Sequence, residues 1–139
     1  MDLKDILSIS GQKGLFKLIT QSRNGIIVES LENKKRMNAF ASVKINALKD
    51  IALFTDEKEI PLAEIFKKIY EKEEGGKTIQ HKVSDEELKN YFAEILPNYD
   101  RARVYVSDIK KVVNWYNILH ELDMLKFDEQ QKEGEKEKN

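Results

Sequence analysis

The feature that most constrains this chain is a change of hydrophobic period at Pro61. Between residues 15 and 54, β-branched and aromatic residues come in short runs separated by turn signals, which is how short strands are written. From Leu62 onward the apolar positions Leu62, Ile65, Phe66, Ile69 and Tyr70 fall on one helical face. A chain with strands first and helices after is expected to be α+β rather than an alternating α/β sheet.

Within the strand-like half, Leu15 to Gln21 reads as the first strand. Asn24-Gly25 follows, and both residues tolerate the positive φ that a two-residue hairpin turn requires, so Ile26-Ile27-Val28 should return antiparallel. A second tight connection at Glu32-Asn33-Lys34-Lys35 leads into Arg36 to Phe40. Val43, Ile45 and Leu48 fit a short helical turn, after which Ile51 to Phe54 resumes strand composition. So many short strands in so short a stretch suit a small SH3-like barrel or half-barrel.

Pro61 suits the first helical position, where its missing N–H costs nothing. That helix should stop at Glu73-Glu74-Gly75-Gly76, where paired glycines read as a helix end and a flexible joint. Ser84-Asp85-Glu86-Glu87 is a capping box, and Leu88, Tyr91, Phe92 and Ile95 continue it as an apolar stripe ending before Pro97. A last helix is expected from Ser107, as its cap, to about Leu125. The expected layout is a β-rich unit with a trailing helix over 1–74, a linker over 75–83, a helical hairpin over 84–127, and a disordered charged tail over 128–139.

Composition excludes several activities. The 139 residues include no Cys, which removes disulfides, thiolate metal sites and thiol nucleophiles together. Nowhere is there an apolar run long enough to span a membrane, and the charged Met1-Asp2-Leu3-Lys4-Asp5 opening lacks a signal-peptide core, so a cytoplasmic location is expected. The formal net charge is −1, but it is unevenly placed: residues 1–54 carry +4, and the later segments are all net negative. The whole molecule therefore offers no strong field to nucleic acid or lipid.

Taken in order, the Met1 to Gly11 opening, the Gly14-Leu15-Phe16-Lys17-Leu18 strand, Asn24-Gly25, Pro61-Leu62, Leu96-Pro97-Asn98-Tyr99-Asp100, Arg103-Val104-Tyr105 and Ser107 to Lys111 before Trp115-Tyr116 form a recognisable series. The series resembles a bacterial family of small cytosolic proteins defined only as a domain of unknown function. The resemblance covers about the first 125 residues. It implies a complete bacterial protein, β-rich at its N-terminus and helical at its C-terminus, and transfers no catalytic residue.

Chemistry-bearing clusters are few. The two histidines, His81 and His120, have no partners at metal-ligand spacing, and no Ser sits in a nucleophile context, so no metal, cofactor or catalytic residue is expected. Gly11-Gln12-Lys13-Gly14 leads into a strand, the wrong side for a phosphate loop, and reads as a turn. Tyr99, Asp100, Arg103 and Tyr105 form a polar cluster that could hold an anion, or simply pin the loop through an Asp100–Arg103 pair. Arg23, Lys34, Lys35 and Arg36 place positive charge on hairpins, the basis of an alternative reading as a weak single-stranded nucleic-acid binder. The last helix carries two adjoining apolar stripes, too wide for one neighbouring helix to cover. The main expectation is thus a non-enzymatic interaction or regulatory protein that uses Trp115, Tyr116, Ile118 and Leu122 to join its own parts, a protein partner or a second copy.

Overall fold

The computed structural model describes residues 3–127, so the expected tail over 128–139 lies outside the described residues. Seven strands come first: β1 (Ile6–Ile9), β2 (Phe16–Ser22), β3 (Gly25–Ser30), β4 (Arg36–Phe40), β5 (Ile45–Ala47), β6 (Ala52–Phe54) and β7 (Glu59–Pro61). Three helices follow: α1 (Leu62–Lys72), α2 (Asp85–Ile95) and α3 (Val106–Glu121). The class is α+β, as the change of period requires.

Strands β1 to β5 form one antiparallel sheet in the order β4-β3-β2-β1-β5, and β6 and β7 form a separate hairpin. A tight hairpin joins β2 to β3 where expected, but its turn residues are Arg23 and Asn24: Ser22 pairs with Gly25, neither Asn24 nor Gly25 takes the positive φ expected of it, and Gly25 is needed instead because a Cβ would run into the Ala39 carbonyl oxygen on β4. The sheet is not closed; it is a half-barrel. On its inner face Leu7, Ile9, Phe16, Val28 and Ala39 are buried in a cluster of strand residues to which no helix contributes, so the curl of the sheet itself excludes water from them. The opposite register of β1 points Ile6 to the other side, into the main core.

That main core is continuous. Leu3, Ile6, Leu15, Leu31 and Leu48 from the sheet region pack in one cluster with Leu62, Ile65, Phe66 and Ile69 of α1, Leu88, Phe92 and Ile95 of α2, and Ile109, Val112, Tyr116 and Leu119 of α3. Edge-on ring contacts join α1 to α3 through Phe66 and Tyr116 (6.1 Å between centroids) and α2 to the segment that follows it through Phe92 and Tyr99 (5.0 Å).

The structure revises several sequence expectations. β1 and β7 were not anticipated, and β5 plus a 3-10 turn (Leu48–Asp50) replaces the helical turn expected around Val43 to Leu48. Pro61 is the N-cap of α1 rather than its first residue, since it also closes β7. Ser84 caps α2 as expected, its hydroxyl accepting from Glu87 N–H at 3.2 Å. Ser107 does not cap α3. Tyr105 is the N-cap, and the Asp108 carboxylate accepts from the Tyr105 N–H at 2.9 Å. The helix stops at Glu121, short of Leu125, as the chain turns through Asp123 at φ 56°.

Residues 75–83 do not behave as a free linker. The Tyr116 hydroxyl donates to Gly76 O (2.8 Å), and Asn117 accepts from Thr78 N–H (2.9 Å) and donates to the carbonyls of Thr78 and Ile79. His120 Nε2 lies 3.0 Å from Gly75 O, and since a carbonyl only accepts, that nitrogen carries the proton. The glycines shape a turn that α3 then clamps.

Candidate functional site

The clamp has a consequence for the surface. By holding residues 75–79 against α3, it sets His81 and Lys82 beside the outward row Lys111, Asn114, Trp115 and Ile118, which share a helix face through i, i+3, i+4 and i+7 spacing. Facing them is the sheet end: Ser8 and Asn46, cross-strand partners on β1 and β5, and the Ser10 to Gly14 loop. Gly11 (φ 83°) and Gly14 (φ 81°) give that loop its left-handed bends. At Gly14 a Cβ would collide with the Glu32 carboxylate, which crosses over this position from the β3–β4 loop.

The result is a cleft of about 670 Å³ between the half-barrel and α3. A second cavity of about 210 Å³, lined by Lys77, Gln80, Asn117 and Glu121, shares Glu32, His81, Asn114 and Ile118 with it, so the two are one elongated groove. In the larger part Lys13, Lys82 and Lys111 oppose the single carboxylate of Glu32, making its walls net positive. Ser8, Ser10, Gln12, Asn46 and Asn114 add neutral hydrogen-bonding groups, while Ile9, Trp115 and Ile118 give an apolar strip. No hydrogen bond among the described residues joins Ser8, Ser10, His81 or Glu32 to one another, so no nucleophile–base pair is assembled here. Among the described residues no group of three or more His, Asp or Glu side chains stands together as metal ligands.

Behind the cleft is a buried polar network. The Tyr91 hydroxyl bonds both Glu73 and Thr78, and burial, reinforced by the Glu73 carboxylate, raises its pKa well above the usual phenol range. Burial likewise pushes the Tyr116 hydroxyl up to about 12, with Tyr70 and Glu73 adding to the shift. These groups stay neutral at ordinary pH and serve as hydrogen-bond anchors for the clamp.

The residues singled out from the sequence fall in three places. Of the wide apolar face, Tyr116 is fully buried and Trp115 is 9% exposed, while Ile118 and Leu122 are half-buried against the same core. Most of the face is therefore covered within the chain, by the sheet and residues 75–83 as well as by helices, and Trp115 and Ile118 line the cleft. The polar cluster is held by contacts within the chain. Arg103 Nε bonds the Asp100 carboxylate at 2.8 Å and lies over the Phe54 ring, while Tyr99 packs on Phe92. The Arg103 guanidinium, with the Ala102 N–H, holds the Asp100 carboxyl below its usual pKa. Tyr105 is 64% exposed, and among the described residues its hydroxyl does not join the pair. Asp100 N–H bonds Phe54 O at 2.9 Å, so this loop is stitched to β6.

The basic hairpin residues do not form one site. Arg23 sits at the β2–β3 turn and Lys34 and Lys35 at the β3–β4 turn, at opposite ends of β3, about 17–20 Å apart by strand rise. Arg36 is paired with Glu29 at 3.1 Å. The lysines that do converge are Lys13, Lys82 and Lys111, drawn from three distant segments. The signal for one of them was present in Gly11-Gln12-Lys13-Gly14, whose glycines do mark a special loop, though not a phosphate loop.

Two family models match the chain: residues 3–48 match the domain of unknown function DUF5606, and residues 51–119 match the domain of unknown function DUF6852. Among solved structures, a solution NMR structure of a protein from Bacteroides vulgatus, from a structural-genomics consortium, is 49% identical, covers 91% of each chain and superposes with a TM-score of 0.78. No curated protein matches. No described helix is long and apolar enough to cross a membrane.

Proposed function

The chain belongs to the family of the Bacteroides vulgatus protein, and from that premise we propose that it is a non-enzymatic interaction protein, acting in the cytoplasm, whose groove takes an acidic, extended segment of a partner protein. The observation that carries this reading is the convergence of Lys13, Lys82 and Lys111 around a groove that also offers neutral amide and hydroxyl groups. A peptide needs both: cations for its carboxylates, and small polar side chains for its backbone. The elongation of the groove supports an extended chain over a compact ligand.

The other macromolecule considered, a single-stranded nucleic acid, fits less well. Such ligands stack bases on open aromatic faces, whereas Trp115 is packed in the core with little of its ring exposed.

Trp115 is the sole tryptophan of the chain, so its fluorescence reports on the groove directly. Titration with an octaglutamate peptide at low salt is expected to shift the Trp115 emission saturably. The apparent Kd should rise at least about tenfold in the Lys82→Glu and Lys111→Glu variants, and should rise with ionic strength. An unchanged emission, or a response to an oligonucleotide and not to the peptide, would overturn the reading.

A further inference from the structure

The free edge of β4 is the other surface that stands out. Ser30 N–H bonds Lys35 O (2.9 Å) and Ala41 N–H bonds Asn24 O (2.8 Å), which fixes the alternation along β4. In an antiparallel pair every second residue exchanges hydrogen bonds with its opposite. Lys35, Met37, Ala39 and Ala41 therefore face β3, and Arg36, Asn38 and Phe40 turn their backbone groups away from it. Of these outward groups, only the Phe40 carbonyl has a partner among the described residues, the Val43 N–H at 3.0 Å. β4 is an outer strand of the sheet, it contains no proline, and no charged side chain points into the half-barrel from it. At its end stands Phe40, 51% exposed and, with Tyr105, one of two large apolar side chains open to solvent among the described residues.

We propose that this edge pairs antiparallel with β4 of a second copy of the chain, in the register that places Asn38 opposite Asn38. This register suits the strand in three respects. Asn38 N–H and C=O meet their own counterparts, and the Phe40 N–H meets the Arg36 C=O of the second copy, so the unpaired backbone groups satisfy each other. On the outer face Arg36, whose Nε bonds Glu29 of its own chain, lies opposite Phe40 of the second copy, so its remaining guanidinium face can meet that ring. On the inner face Met37 lies opposite Ala39 of the second copy, extending the apolar lining of the half-barrel. The Lys34-Lys35 pairs end up at opposite ends of the new ladder, about 20 Å apart, so they do not repel strongly. The isologous contact joins two five-stranded sheets and leaves the groove beside α3 untouched.

Asn38→Pro tests this cleanly. The Asn38 N–H has no partner among the described residues and the Asn38 side chain accepts only from the exposed Ser22 hydroxyl, so proline is compatible with the monomer, yet it deletes the central intermolecular bonds. Phe40→Lys is the second variant, setting a cation against Arg36 of the second copy. In sedimentation equilibrium of the full chain at high micromolar concentration, the wild type is expected to have twice the chain mass. Both variants are expected to have the single mass, with unchanged far-ultraviolet circular dichroism. A monomeric wild type, or a dimer that survives Asn38→Pro and Phe40→Lys, overturns the proposal. So does a monomer whose β4 amides are protected from exchange only when a foreign extended peptide is added.

Discussion

Asn117→Ala offers the sharpest test of how residues 75–83 are held. The Asn117 side chain makes three bonds to backbone: it accepts from Thr78 N–H at 2.9 Å and donates to Thr78 O at 3.3 Å and Ile79 O at 3.2 Å. The two longer bonds are the weaker ones and contribute less. Thr78 is only 7% exposed, so its N–H would be left with neither partner nor water, at a cost of about 1–3 kcal/mol on top of roughly 1 kcal/mol for the lost bonds. Alanine recovers about 0.6 kcal/mol through its better helix propensity. The net expectation is about 2 kcal/mol of destabilisation, or a fall of several degrees in Tm, at about 4 °C per kcal/mol for a domain of this size. Urea unfolding followed by Trp115 fluorescence gives the value. Asn114→Ala, one turn earlier on the same helix and without a side-chain hydrogen bond among the described residues, is the control and should be neutral or slightly stabilising. The Thr78 amide should also lose hydrogen-exchange protection in the first variant and keep it in the second. Two equal variants, both within about 0.5 kcal/mol of wild type, would mean that the segment is solvated and the clamp has no energetic weight.

Further outcomes can be checked in the same unfolding assay. Phe92→Ala removes a fully buried ring that meets Tyr99 edge-on and should cost about 3–5 kcal/mol. The raised pKa of Tyr116 means that the unfolded chain loses its proton first on going alkaline, so this contribution is intact below pH 10 and fades as pH rises towards 12; Tyr116→Phe should flatten the alkaline limb of a stability–pH profile. Asp100 has the opposite sign. Its folded pKa is lowered, so its contribution is present above the ordinary carboxylate range and is lost as pH falls through the lowered value, and Asp100→Asn should flatten the acid limb. Gly25→Ala should destabilise by about 1–3 kcal/mol, because β3 and β4 must separate locally to admit the methyl group.

What was legible in the sequence were features that depend on near neighbours. Asn24-Gly25 announced its hairpin, though one residue late, Ser84 and Glu87 their cap, and Leu62, Ile65, Phe66 and Ile69 their buried face, because each signal is complete within a turn or two. β1 escaped notice since Ile6, Leu7 and Ile9 are buried on both faces of the sheet, which erases the alternation that marks a strand. β5 and β7 are three residues each, too short to show any period. The surplus apolar width of α3 was legible, and with it the option that this face joins parts of the same chain; which parts was not, since it faces residues 75–83 and the sheet, elements whose approach no local pattern foretells. The groove was illegible for the same reason, as Lys13, Lys82 and Lys111 come from three segments that meet only when the core forms.

The two family models abut between residues 48 and 51, where the chain passes from the half-barrel to the β6–β7 hairpin. The core ignores that border: Leu48 is fully buried and packs, with Leu3, Ile6, Leu15 and Leu31, against side chains that lie beyond it. A gene cut at this point would yield two fragments, each with half of a broken apolar surface facing water. Separately they should be sticky and poorly ordered, and mixed they should find one another and reassemble.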